Sequence, residues 1–127
     1  MATGTVTITE QVHTSVKKVK FDWTSTTGGA AGDTTTNSYS GEIYRVIFDP
    51  STGSQPSASY DVAVNDSDGY DVLNGLGTDC TNSAADVFGV STGGVVKAPL
   101  SAVSSKLTLA VTNAGDTKAG SVILYIR

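Results

Sequence analysis

Apolar residues recur at every second position in a series of short windows, and no stretch of the chain sustains the 3.6-residue period of a helix. That alternation fits half-buried strands and little else. Val6 and Ile8 open the series. Val19, Phe21 and Trp23 then share one face, with Lys18, Lys20 and Asp22 on the other, so one side of that strand is wet. Between Glu42 and Phe48 both faces are apolar, Tyr44, Val46 and Phe48 against Ile43 and Ile47, with Arg45 the exception; a central or doubly covered strand is expected. Tyr60, Val62 and Val64 alternate with Asp61, Ala63 and Asn65, and Leu107, Leu109 and Val111 with Thr108, Ala110 and Thr112. Ser121 to Arg127 places Val122, Leu124 and Ile126 on one face. Weaker windows lie at Val87 to Val90 and Val95 to Ala98. Composition agrees: eighteen Thr, fifteen Ser, fifteen Val and fourteen Gly dominate, while the helix builders Glu, Leu and Lys are scarce.

Turn chemistry separates the windows at Asp49-Pro50-Ser51-Thr52-Gly53, Asp66-Ser67-Asp68-Gly69, Gly93-Gly94 and Asn113-Ala114-Gly115-Asp116. In 127 residues this predicts one all-β domain, an antiparallel β-sandwich or jelly roll of eight or nine short strands. Two stretches break the rhythm. Ser25 to Ser40 is nearly all Thr, Gly, Ala, Ser and Asn and reads as a long exposed loop, or as an arm ordered by a partner, that contributes little to the core. Asp71 to Thr81, with Val72, Leu73 and Leu76 among glycines, is expected to hold one helical turn.

Function classes narrow quickly. Between Val46 and Val96 stand seven aspartates and no lysine or arginine, whereas the remainder has eight basic and five acidic residues. An acidic middle and a basic remainder can form complementary surfaces for docking or self-association, although aspartate is also a common turn residue. A net charge of −4 and no basic cluster beyond Lys17, Lys18 and Lys20 argue against nucleic-acid binding. No apolar run is long enough to span a membrane, and the first ten residues lack the basic start and apolar core of a signal peptide. One cysteine, Cys80, and one histidine, His13, exclude an intrachain disulfide and a His/Cys zinc site. His13 has no nucleophile-elbow pattern to serve, and Cys80 has no neighbouring cation in sequence to stabilise a thiolate. Asp66 and Asp68 invite a calcium reading, but with Gly69 as the loop glycine the first ligand position is Val64 and the last is Gly75. No enzyme, cofactor or metal site is expected.

Three segments carry a resemblance. Tyr60 to Gly77 (YDVAVNDSDGYDVLNGLG), Leu107 to Gly115 (LTLAVTNAG) and the ending Val122 to Arg127 (VILYIR) are similar to small virion-associated proteins of tailed bacteriophages, over roughly residues 40 to 127. The resemblance implies a sandwich or jelly roll acting as a capsid decoration (cement) protein, on the virion's capsid exterior after synthesis in the bacterial host cytoplasm. Its implied partner is the major capsid protein, and a homo-oligomer, dimer or trimer, is expected. A tail, baseplate or fibre module is the alternative within the virion, and a carbohydrate-binding β-sandwich the alternative outside it. Candidate partner-binding residues are Thr26, Thr27, Thr34, Thr35 and Thr36 in the polar stretch, with Asp66, Asp68 and Asp71 in the acidic loop.

Overall fold

The computed structural model describes residues 4–13, 15–83, 85–87, 90–92, 95–97 and 102–127; the expected Gly93-Gly94 turn and parts of the two weaker windows lie outside these. The described residues are all-β. Eight strands have four residues or more: β1 (Thr5–Val12), β2 (Lys17–Thr24), β3 (Ala31–Thr34), β4 (Tyr39–Pro50), β5 (Asp61–Asn65), β9 (Ala102–Ser105), β10 (Thr108–Thr112) and β11 (Ala119–Ile126). Three three-residue strands complete the set, β6 (Ala85–Val87), β7 (Val90–Thr92) and β8 (Val95–Lys97). All pairings are antiparallel. One sheet runs β1-β2-β11-β4-β6, with β9 also on β4; the second runs β3-β10-β5, and β7 pairs with β8.

The alternation read from the sequence builds the core. Val19, Phe21 and Trp23 of β2, Val122, Leu124 and Ile126 of β11, and Val46 and Phe48 of β4 face Val62 and Val64 of β5 and Leu109 and Val111 of β10, all buried. Val6 and Ile8 of β1 pack half-buried against the same cluster. Gly120 pairs with Trp23, and a Cβ there would stand 2.8 Å from the indole, so only glycine lets the ring lie across β11.

On β4 the expected faces are corrected by a bulge. Tyr125 pairs with Arg45 but the next residue, Ile126, pairs with Ile43, so Tyr44 is the extra residue. One inserted residue reverses which parity points inward. Ile43 is therefore buried beside Val46 and Phe48, and Tyr44 is left with Arg45 and Ile47 outside the core.

The 25–40 stretch is not a continuous exposed loop. It contains β3, which pairs with β10, and it turns Ser25, Thr35 and Tyr39 inward. Ser25 Oγ donates to the Gly115 carbonyl (2.7 Å) and accepts from the Lys118 amide (2.8 Å). Thr35 Oγ1 donates to the Asn37 carbonyl (2.8 Å) and accepts from the Leu107 amide (3.1 Å). Tyr39 donates its hydroxyl proton to Glu10 of β1 (2.5 Å), whose carboxylate also accepts from the Asn37 and Thr36 amides. Polar side chains thus fix this stretch to the ends of β10 and β11 and to β1, where an apolar pattern would have announced a strand.

Asp71 to Thr81 holds consecutive turns in place of the expected helical turn. Asn74, Leu76 and Thr78 each donate their amide to the carbonyl three residues back, with Asn74 and Gly75 both at positive φ. The segment lies along the outer edge of β5, where Gly77 accepts from Val62 (2.7 Å) and Tyr60 accepts from Cys80 (2.7 Å). A Cβ on Gly77 would stand 1.9 Å from the Val62 carbonyl oxygen, so that close approach requires glycine. The turns bury Val72 and Leu73 while covering an edge that would otherwise expose unpaired backbone.

Candidate functional site

Three surface features carry chemistry. The first is the outer side of the six-stranded sheet, where register aligns Gln11, Lys18, Tyr125 and Arg45 in one cross-strand row. The bulge adds Tyr44, whose ring centroid lies 6.2 Å from that of Tyr125 at an interplanar angle of 59°. Cations cover both rings: Arg45 stands 5.0 Å and Lys18 5.8 Å from the Tyr125 centroid, and Arg127 4.7 Å from that of Tyr44. The next row is Thr9, Lys20, Ile123 and Ile47, with Lys20 3.7 Å from Asp22. Lysines distant in sequence from Arg45 and Arg127 are gathered here by strand pairing alone.

The second feature is the acidic loop. Asp66 Oδ1 accepts from the amides of Asp68 and Tyr70, both at 3.0 Å, and the Asp66 amide donates to the Tyr70 carbonyl (3.0 Å). Gly69 sits at φ 89°, which closes the turn at no steric cost. Asp71 Oδ1 accepts from Val64 and Leu73 and its Oδ2 from Gly75, so this side chain fixes both the end of β5 and the turns that follow. The Ser67 amide donates to Ser105 Oγ, tying the loop to β9 (3.1 Å). Held from all sides, the loop presents Asp68 at its tip and leaves Tyr70 72% exposed. Further along β5, Asp61 accepts from the Asp79 amide and from Asn113 Nδ2, and these bonds hold its carboxyl below the usual carboxylate range.

The third feature is an open groove of about 560 Å³ at the β1 start and β11 start of the same outer face. Ser121 pairs with Asp22 on one side and Asp49 on the other, and Thr5, Thr7, Ser51 and Thr52 line the walls. Ser121 donates to Asp22 (2.5 Å). Hydroxyls with two carboxylates suit a neutral polyol better than an anion.

The residues expected to meet a partner divide. Thr27, Thr34 and Thr36 are exposed, Thr26 is half-buried with its Oγ1 accepting from the Ala30 amide, and Thr34 shares a hydrogen bond with Thr108. Thr35 is 2% exposed and both its hydroxyl bonds are internal, so it is unavailable to a partner. Asp66 and Asp71 shape the loop, and Asp68 stands out from it. Sequence reasoning missed the two tyrosines and two arginines of the sheet face, because the bulge that joins them has no local signature. Tyr70 had one: an aromatic residue inside a turn otherwise made of Asp, Ser and Gly.

Nucleophile chemistry finds no support at Cys80. Its thiol is buried, donates to the Gly77 carbonyl (3.2 Å), and is pushed up to about 11 by burial and by the charges of Asp61 and Asp79. Among the described residues no group of three His, Cys, Asp or Glu could hold a metal ion, and no helix is long and apolar enough to cross a membrane.

No protein-family model matches the chain, and no curated protein matches it in sequence. Among solved structures it is similar to FlhE (TM-score 0.41, 11% identity, covering 89% of this chain and 98% of that one). It is also similar to a cupin domain from Bordetella pertussis Tohama I (0.34, 15%, 100% and 98%) and to a low-affinity xylan-binding module, CBM86, from Roseburia intestinalis (0.37, 10%, 96% and 86%). At these identities and scores the likenesses carry no argument about what this chain binds or does.

Proposed function

We propose that this protein is a non-catalytic adhesion module, a decoration protein that attaches to the capsid exterior of a tailed bacteriophage through contacts with the major capsid protein. The observation that carries the adhesive half of this reading is the pair of surfaces just described. Tyr44 and Tyr125 under arginine and lysine, and Tyr70 on a hydrogen-bonded acidic loop, are the residue types in which interface energy concentrates. Both stand on frameworks that lose little freedom on docking, which lowers the entropic cost of association. The virion setting comes from the resemblance in Tyr60–Gly77, Leu107–Gly115 and Val122–Arg127. Repetition on a shell lets modest contacts add when one oligomer spans several subunits. The test is co-sedimentation of the folded protein with shells that lack it: saturable binding supports the reading, and recovery of all protein in the supernatant opposes it.

The groove favours one second reading, a carbohydrate-binding β-sandwich. Its hydroxyls and its carboxylates Asp22 and Asp49 match the donors and acceptors of a sugar diol. The covered rings of Tyr44 and Tyr125 weigh against sugar stacking on the adjacent face, because cations already occupy their π-faces. Titration with neutral xylo- and gluco-oligosaccharides, followed by amide shifts at Ser121 and Thr7, separates the two readings.

A further inference from the structure

The acidic loop and the tyrosine–cation face have opposite charge and lie on different layers of the sandwich. The loop leaves β5 of the three-stranded sheet, whereas Lys18, Lys20, Tyr125 and Arg45 project from the outer side of the six-stranded one. The loop cannot swing onto its own chain's face, because Asp66, Asp71 and Ser67 pin it at both ends. Asp68 and the exposed ring of Tyr70 therefore face solvent.

We infer that these two surfaces are the halves of one heterologous interface, in which the Asp66–Asp71 loop of one copy docks on the Tyr44–Tyr125–Arg127 face of a second copy of this chain. The inference rests on the adhesion reading and names one partner for it. Tyr70 is the anchor: a ring with 72% of its surface exposed gains most from being covered, and guanidinium and ammonium groups offer its π-face a favourable neighbour. Asp68, exposed two residues away, adds charge complementary to Lys18, Lys20 and Arg127, which helps set the docking register and speeds encounter. The second copy is favoured over an unrelated acidic protein because this chain supplies the complement itself, with seven aspartates and no cation between Val46 and Val96. A contact between unlike surfaces joins copies head to tail, and such contacts build rings or filaments.

The experiment is sedimentation of the purified protein up to about 100 μM, a range that detects weak association. It is run at about 0.1 M and about 1 M salt, between which the screening length falls from about 10 Å to about 3 Å. Association at low salt that falls at high salt is expected. Tyr70→Ala and Arg127→Glu should each weaken it by about tenfold or more with unchanged thermal melting, as truncation of an interface anchor does. An equimolar mixture of Asp68→Lys with Arg127→Glu should associate better than either variant alone, because a lysine-bearing loop then meets a glutamate-bearing face. A monomer at every concentration and salt overturns the inference, as does association that survives both Tyr70→Ala and Arg127→Glu. Neither result bears on shell binding by single copies, so failure here is distinct from failure of the capsid reading.

Discussion

Two polar stretches of this chain, one rich in threonine and glycine and one acidic, do opposite things. Residues 25–40 turn three of their hydroxyls inward: Ser25 and Thr35 are buried and bond to backbone at the ends of neighbouring strands, and Tyr39 reaches Glu10 on β1. The Asp66–Asp71 loop uses its carboxylates on its own amides and pushes a tyrosine into solvent. The difference lies in what surrounds each stretch. The first contains β3 and its connections to β2 and β4, and must satisfy the backbone groups of the strands it adjoins, whereas the second leaves a strand end whose only obligation is to turn. Polar composition therefore does not mark a binding arm; the direction of the polar atoms does.

The largest expected effect is deletion of Thr26 to Thr36, which removes β3 and Thr35 together. Read as an exposed loop, this segment would be dispensable; as a strand paired along β10 it is not, and loss of cooperative melting by circular dichroism is the expected outcome. A folded deletion protein would restore the arm reading. Thr35→Val sharpens the point with a near-isosteric change: the buried Leu107 amide loses its acceptor, Thr35 Oγ1, and a loss of about 2 kcal/mol in urea unfolding is expected.

How far these features were legible follows from the same contrast. The period-two windows identified β1, β2, β5, β10 and β11 and their inward residues, because each strand there alternates without interruption. They misassigned Tyr44 and Ile43, since a bulge shifts parity without changing composition. They missed β3, whose Ala-Gly-Asp-Thr sequence carries no apolar alternation and is held by pairing with β10. The acidic loop was legible as a turn, but its function as a mount for Tyr70 required the hydrogen bonds that aim the ring outward.

A smaller effect concerns acid. Asp61 has a lowered pKa in the folded chain, from its bonds to the Asp79 amide and Asn113, so its stabilisation is present above the ordinary carboxylate range and is lost as pH falls through the lowered value. Asp61→Asn should flatten the acid limb of the melting-temperature profile below about pH 4 and leave the neutral region nearly parallel to wild type. A steeper acid limb in the variant would contradict this. The smallest expected effect is on the other side of the comparison. Tyr70→Ala should change unfolding free energy by no more than about 0.5 kcal/mol, as for an exposed side chain whose backbone bonds persist. A loss several times larger would make Tyr70 a packing residue and erase the contrast with Thr35.

The central claim, adhesion to a phage shell by a β module without catalytic chemistry, is tested most directly by titrating fluorescently labelled protein onto purified capsids that lack it and pelleting the particles. Saturable binding to a fixed number of sites per particle is the predicted result. Protein that melts cooperatively yet stays in the supernatant at about 10 μM, a concentration well above the dissociation constants of most specific assemblies, would contradict it.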